Sequence, residues 1–218
     1  MLILGVDEAG RGPVIGSMFI AGVLVDSKDE PSLKAAGVKD SKQVPQKKRA
    51  VLEKLIKSMA KEIHFIEVTA MEIDSKRRFM SLNELEALKI SQLIEFFRAK
   101  PDRVVVDAPD PIAGEFLKRI RRYTKIDAEI VCEHKADVNH PSCSAASIIA
   151  KRERDKHTRA IEKKFGVRVG NGYAHDPEAI KFLEKCMHGK GYPEFVRQSW
   201  ETAARVREQK TQKKLAEF

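Results

Sequence analysis

Leu2-Ile3-Leu4-Gly5-Val6-Asp7-Glu8-Ala9-Gly10-Arg11-Gly12-Pro13 carries an apolar run that ends abruptly in two adjacent carboxylates and a glycine-bracketed arginine. Residues 2–7 read as a buried strand and residues 18–25 (MFIAGVLV) as a second, joined by a glycine-containing connection short enough for a hairpin. The fold is therefore expected to open with antiparallel pairing. Acids at the hydrophobic edge of a sheet are unfavourable unless a cation or hydrogen bonds compensate. The arrangement suggests a site rather than a solvated turn, with a hard divalent metal as the compensating cation. Adjacent strand residues face opposite ways, so Glu8 is expected where the strand gives way to the turn.

Further along, Pro45 is a good first-turn residue, and Val51, Leu52, Leu55, Ile56 and Met59 follow at helical spacing. Residues 63–68 alternate like a third strand. Ser81-Leu82-Asn83-Glu84 is a capping box, and Leu85, Leu88, Leu93, Ile94, Phe96 and Phe97 continue an amphipathic helix to about Lys100. Residues 103–107 (RVVVD) read as a fourth strand, 111–123 as a helix, 128–132 as a fifth strand and 142–165 as a long helix. Residues 176–188 and 193–217 look helical as well. This alternation is that of an α/β protein built on a mixed sheet.

The 218 residues suffice for one sizeable core plus a small helical extension. With 33% charged residues there is no run long enough to span a membrane, and the N-terminus lacks the pattern of a secretory signal, so a cytoplasmic protein with no membrane partner is expected. Cys132, Cys143 and Cys186 are too few and too scattered for a disulfide framework. A net charge of +9 points to a polyanionic partner, although charge alone does not separate nucleic acid from an anionic membrane.

Four acids stand where the chain leaves an apolar element or enters a helix: Asp7 and Glu8 after the first strand, Asp107 after the fourth, and Asp137 before the long helix. Neighbouring strands can bring Asp7 and Asp107 together, and a helix N-terminus can deliver Asp137 to the same edge. Mg²⁺ takes octahedral oxygen ligands and is held by carboxylates together with substrate phosphate oxygens. Two such ions, roughly 3.5–4 Å apart, can activate a water on one side of a phosphorus and stabilise the leaving oxygen on the other. A basic protein with that set reads as a phosphodiesterase. The plainer reading makes some of these acids helix caps or surface ion pairs, Asp137 above all.

The same residues resemble the type 2 ribonuclease H enzymes, ribonuclease HII, in their archaeal form. The matching stretches are Gly5 to Pro13, Val38-Lys39-Asp40-Ser41-Lys42, Val106-Asp107-Ala108, Lys135-Ala136-Asp137, Ser144 to Lys151, Arg154-Asp155 and Gly172-Tyr173, and together they span nearly the whole chain. The resemblance implies a ribonuclease H-like mixed five-stranded sheet flanked by helices, with a C-terminal helical extension. It places a catalytic domain at residues 1–170, the extension packed on it at 171–211 and a tail at 212–218. It implies a monomer that hydrolyses the RNA strand of RNA/DNA hybrids and cleaves 5′ of ribonucleotides embedded in duplex DNA. Mg²⁺ or Mn²⁺ would be held by Asp7, Glu8, Asp107 and Asp137, leaving 3′-hydroxyl and 5′-phosphate ends.

It further implies that Gly10, Arg11 and Gly12 read the ribose 2′-hydroxyl. Glycines let a backbone approach the minor groove closely. Tyr173 would stack on the sugar beside the cut, and Lys42 and Lys151 would contact phosphates. The chain departs from the family pattern at Asn139-His140-Pro141 and Ala174-His175, which bears on substrate preference rather than on the reaction.

Gly10-x-Gly12 lacks the third glycine of a dinucleotide loop, and Pro13 removes an amide donor. Cys132, His134, His140 and Cys143 fit no standard zinc spacing. Two basic stretches are candidates for tracking phosphates: Lys118, Arg119, Arg121, Arg122 and Lys125, and the segment 151–164 with seven basic against three acidic residues. In the last seven residues Gln212, Leu215 and Phe218 resemble the anchors of a sliding-clamp-binding peptide, spaced to share one face of a 3₁₀ turn. The competing readings are another two-metal nuclease of the same fold, such as a resolvase, and a non-catalytic nucleic-acid-binding protein.

Overall fold

Strand β1 (Leu2–Ala9) lies at the centre of a five-stranded sheet in the order β3-β2-β1-β4-β5. The computed structural model describes residues 1–38, 44–187, 189 and 191–216. β2 (Met18–Asp26) pairs antiparallel with β1, whereas β4 (Arg103–Asp107) pairs parallel with β1 and β5 (Glu129–Glu133) parallel with β4. β3 (Glu62–Val68) completes the mixed sheet. The described residues fall into two compact units interleaved in sequence: 1–9, 19–67 and 81–153 in the first, and 10–18, 68–80 and 154 onward in the second.

Register assigns the two faces of the sheet in the first unit. Gly5 stands opposite Val23 and Val105, and Val6 opposite Gly22 and Val106, so the odd residues of β1 share one face and the even residues the other. Helix α7 (Pro141–Phe165) covers the odd face. Ala21, Val23 and Val25 bury there with Ala145, Ile148 and Ile149 of α7 and with Leu52 and Ile56 of α2 (Gln46–Met59), with Leu33 of α1 (Glu30–Ala35) in the same cluster. Gly5 makes the close approach possible: a Cβ there would stand 2.1 Å from the Ser142 carbonyl carbon and 2.3 Å from the Cys143 nitrogen. Glu30 accepts the Ser142 N–H at 3.1 Å, satisfying a backbone donor in the first turn of α7. On the even face Phe97 seats over Gly22 and Leu4.

Helix α4 (Leu82–Glu95) begins as expected, with Ser81 Oγ accepting the Glu84 N–H at 3.1 Å. It stops sooner than expected, because Arg98 and Ala99 turn their N–H groups to the Glu62 carboxylate at 3.0 and 2.8 Å. α5 (Ala113–Tyr123) matches its expected range closely. Two short helices carried too few apolar positions to be read in advance: α1, and α3 (Ala70–Lys76), which Thr69 caps.

In the second unit Val14, Ile15, Ile161, Val169, Leu183, Val196 and Ala203 form a separate core with α8 (Pro177–Met187) and α9 (Glu201–Ala216). The helix expected from Pro193 starts only at Glu201. Residues 193–200 are drawn instead toward the segment 10–18: Ile15 and Val196 form an antiparallel bridge, Gly16 N–H donates to Phe195 O and Arg197 N–H to Val14 O, both at 2.8 Å. Among the described residues no helix is long and apolar enough to cross a membrane.

Gly5→Ala should lower the stability of the fold by about 3 kcal/mol, because the atoms in its way are the backbone of α7 and not a movable side chain. Chemical denaturation of the variant would read this as a lowered midpoint at unchanged slope.

Candidate active site

Asp7 and Asp107 follow the paired residues Val6 and Val106 on adjacent parallel strands, so they share the odd face roughly 5 Å apart along the hydrogen-bonding direction. Asp137 lies in α6 (Ala136–Asn139), a single turn ahead of α7, and is 1% exposed; it is not the cap of the long helix. Lys135, the residue that turns the chain into α6, sits at φ 59° and is the only non-glycine with positive φ among the described residues. Such left-handed backbone is strained for a side-chain-bearing residue and persists where the surroundings enforce it. Asp107 contributes to that enforcement, its Oδ1 accepting the Ala136 N–H at 2.9 Å, which ties α6 to the end of β4.

One face of α7 completes the cluster. Cys143, Ser147 and Lys151 recur every four residues and so align along the helix. The Cys143 thiol donates to Val6 O at 3.2 Å, Ser147 hydrogen-bonds Asp7, and Lys151 Nζ donates to Ser147 Oγ at 3.0 Å. Burial pushes the Asp7 carboxyl well above the usual carboxylate range, the Glu8 and Asp107 charges add to the rise, and the Ser147 hydrogen bond and the Lys151 charge oppose it. The fully buried Cys143 thiol is raised by desolvation and then by the charges of Asp7, Asp107 and Asp137. Three of the four predicted acids thus act on one buried atom.

Glu8 departs from expectation. β1 runs on through Ala9, with Glu8 opposite Ile20, so Glu8 remains in the strand and half-buried while alternation turns it away from the Asp7 face. Its backbone N–H donates to Asp7 Oδ1 at 2.7 Å. Among the described residues, no group of three or more His, Cys, Asp and Glu side chains is gathered closely enough to hold an ion as it stands. Like charges in a poorly hydrated site repel. The donor set itself, oxygen only, suits a hard divalent cation, and a central carboxyl that resists ionisation is one that positive charge would stabilise.

The Gly10-Arg11-Gly12 turn belongs to the second unit, and Gly10 directly follows the last residue of β1 in sequence. Gly10 has φ 89°, a conformation open to glycine. A Cβ on Gly12 would lie 3.1 Å from the Tyr173 ring, so the predicted turn and the predicted aromatic are packed together. Gly172 O accepts the N–H groups of Val14 and Ile15 at 2.8 and 3.3 Å, which holds Tyr173 beside the turn. The Arg154 guanidinium lies 5.2 Å from the Tyr173 ring centroid and donates to Asn171 O.

Two residues absent from the sequence reading grip this turn. Arg197, 0% exposed, donates to Gly10 O, Arg11 O and Gly16 O at 2.5, 2.9 and 2.9 Å, and Trp200 Nε1 donates to Gly12 O at 3.1 Å. Desolvation, and after it the Arg154 charge, pulls Arg197 down to about 9, which still leaves it cationic at neutral pH.

Other expectations fare differently. Lys42 and Phe218 lie outside the described residues. Gln212 and Leu215 fall within α9, whose backbone is α-helical through Ala216 where a 3₁₀ turn was expected. The basic run of α5 is largely engaged inside the protein: Arg119 bridges Asp110 and Glu84, Arg122 meets Glu84, Lys118 meets Glu115, and Arg121 donates to Ile126 O and Ala128 O. The residues weighed for zinc have other neighbours. His140 meets Glu133, His134 meets Ala108 O, and burial pushes the Cys132 thiol up to about 12.

With this geometry in hand, similarity to known proteins is extensive. A family model described as ribonuclease HII matches residues 4–203. A ribonuclease HII from Methanothrix thermoacetophila is 45% identical over 208 residues, covering 95% of this chain and 98% of that protein. The crystal structure of ribonuclease H2 from Pyrococcus horikoshii superposes with a TM-score of 0.88 at 39% identity, covering 96% of this chain and 98% of that one. The RNase HII of a PCNA:RNase HII complex from Archaeoglobus fulgidus superposes at 0.83 with 34% identity, covering 92% and 96%.

A folded-state carboxyl raised above its unfolded value stabilises the fold fully only below the ordinary carboxylate range, and that contribution is lost as pH rises through the raised value. Asp7→Asn should therefore melt at a higher temperature than the unaltered protein at neutral pH in the presence of a chelator. The gap should close as pH falls. Thermal unfolding followed by circular dichroism across pH checks both.

Proposed function

The chain belongs to the ribonuclease HII family and is a ribonuclease H, and from that premise we propose that it cleaves RNA/DNA hybrids and duplex DNA on the 5′ side of an embedded ribonucleotide. The observation that supports the reading most directly is the convergence of Asp7, Asp107 and Asp137 on the buried Cys143 thiol. In a basic protein, acids concentrated on one sheet face are consistent with a site that takes cations and phosphate together.

Asp7, Asp107 and Asp137, joined by Glu8 from the other side of β1, are the residues that would hold Mg²⁺ or Mn²⁺. Bound there, a divalent pair supplies Lewis-acid activation of water and charge stabilisation at the scissile phosphate. The chain's own groups prepare for this. Ser147 fixes the Asp7 carboxylate, the Ala136 N–H fixes that of Asp107, and Lys151 offsets negative charge beside Asp7, where it is also available to a phosphate oxygen. The Gly10-Arg11-Gly12 backbone reads the ribose 2′-hydroxyl, and Tyr173, seated on Gly12, offers its ring to the neighbouring sugar. The products carry 3′-hydroxyl and 5′-phosphate ends.

The C-terminal segment with Gln212, Leu215 and Phe218 docks, in this reading, on a sliding clamp, as the similarity to a protein solved with PCNA supports.

A duplex with a single ribonucleotide should be cut when Mg²⁺ or Mn²⁺ is added and left intact without it, and an all-DNA duplex should never be cut. Cleavage of the all-DNA control would favour another nuclease of the same fold. Asp7→Asn should lower turnover by roughly 10²–10³-fold, as for loss of one preorganised electrostatic group, while hybrid binding measured by anisotropy survives. Removing residues 215–218 should abolish association with the clamp and spare cleavage; unchanged clamp affinity would refute the docking role.

A further inference from the structure

The carbonyl oxygens of the glycine-arginine-glycine turn have all been claimed from within the second unit. Arg197 takes those of Gly10 and Arg11, with Gly16 as its third acceptor, and Trp200 takes that of Gly12. A planar guanidinium is suited to this, since its donors leave in fixed directions and three carbonyls held by one fork cannot rotate independently. A buried cation is an expensive element of a fold, and here the groups that accept its hydrogen bonds are the backbone carbonyls of the turn.

The grip is itself anchored. The Trp200 ring lies 4.8 Å from the Arg197 guanidinium and 4.6 Å from that of Arg77. Arg77 also donates to Ser199 O and Ser199 Oγ, both at 3.1 Å, and Asp74 accepts the N–H groups of Gln198 and Ser199 at 2.7 and 3.1 Å. The segment 197–200 is therefore held between α3 on one side and the turn on the other.

We infer that Arg197 and Trp200 are positioning residues for ribose discrimination: they set the shape of the Gly10-Arg11-Gly12 backbone that senses the 2′-hydroxyl, without touching substrate. The inference rests on the proposed reading of that turn. Removing one hydrogen bond leaves the turn free to shift, and the contact that fades is the one to the hydroxyl DNA lacks. General attraction to the phosphate backbone, a matter of overall charge, is unaffected.

The test uses the full chain carrying Asp7→Asn, which slows cutting enough for binding to be read first, and compares affinity for a duplex with one ribonucleotide against the same duplex in DNA. Trp200→Phe keeps the ring beside both guanidiniums and loses only the Nε1 donor. It should reduce the preference for the ribonucleotide by about 3- to 10-fold, with all-DNA affinity and melting temperature unchanged. Arg197→Lys, which keeps charge and loses the fork, should reduce the preference by about 10-fold or more. A preserved preference in folded Trp200→Phe protein overturns the inference, as does an equal loss of affinity for both duplexes. A parent protein without any ribonucleotide preference would overturn the reading of the turn itself, a result distinct from either.

Discussion

The approach of α7 to the bare backbone at Gly5 is the constraint on which the first unit depends. Because no side chain separates strand from helix there, the first turn of α7 reaches Val6 O through Cys143, and the following turns deliver Ser147 and Lys151 alongside Asp7. The acids could not otherwise be both buried and oriented. Burial raises the affinity of Asp7 for a proton, and the same desolvation makes any cation that arrives more strongly held. Destabilised ground state and prospective metal affinity are consequences of one packing decision.

The second unit solves a different problem. A loop that does not pair into regular secondary structure still has carbonyls that require partners. Arg197 and Trp200 supply them from a distant part of the chain, and the Ile15–Val196 bridge aligns the two segments. The loop is thereby ordered without becoming a strand.

Much of this was legible in advance where the signal was local. The apolar strands, the capping residue Ser81 and the long α7 follow from periodicity and composition, and Asp7, Asp107 and Asp137 stood out in the sequence as acids at or near the ends of apolar elements. What escaped depended on long-range contacts. Glu8 was expected in a turn because nothing in its neighbourhood says that β2 pairs out to Phe19 and keeps β1 extended through Ala9. Residues 193–200 have helical composition, but Val196 and Arg197 find better partners in segment 10–18 than a helix would offer. Arg197 and Trp200 carried no motif of their own; a lone tryptophan in a charged C-terminal stretch was the one available hint.

Net charge was the weakest guide, and the reason is instructive. The densest basic run, on α5, is partly offset by Glu84, Asp110 and Glu115, so its net charge is smaller than its number of cations suggests. Lys151 and Arg197 weigh more, although each is one charge among 41 basic residues. Lys151 sits beside a carboxyl it helps to ionise, and Arg197 is wholly removed from solvent against carbonyl oxygens. A desolvated charge interacts several-fold more strongly than a solvated one at equal distance. In this chain the cations beside Asp7 and against the Gly10-Arg11-Gly12 carbonyls are therefore distinguished by what surrounds them, and counting charges along the sequence cannot single them out.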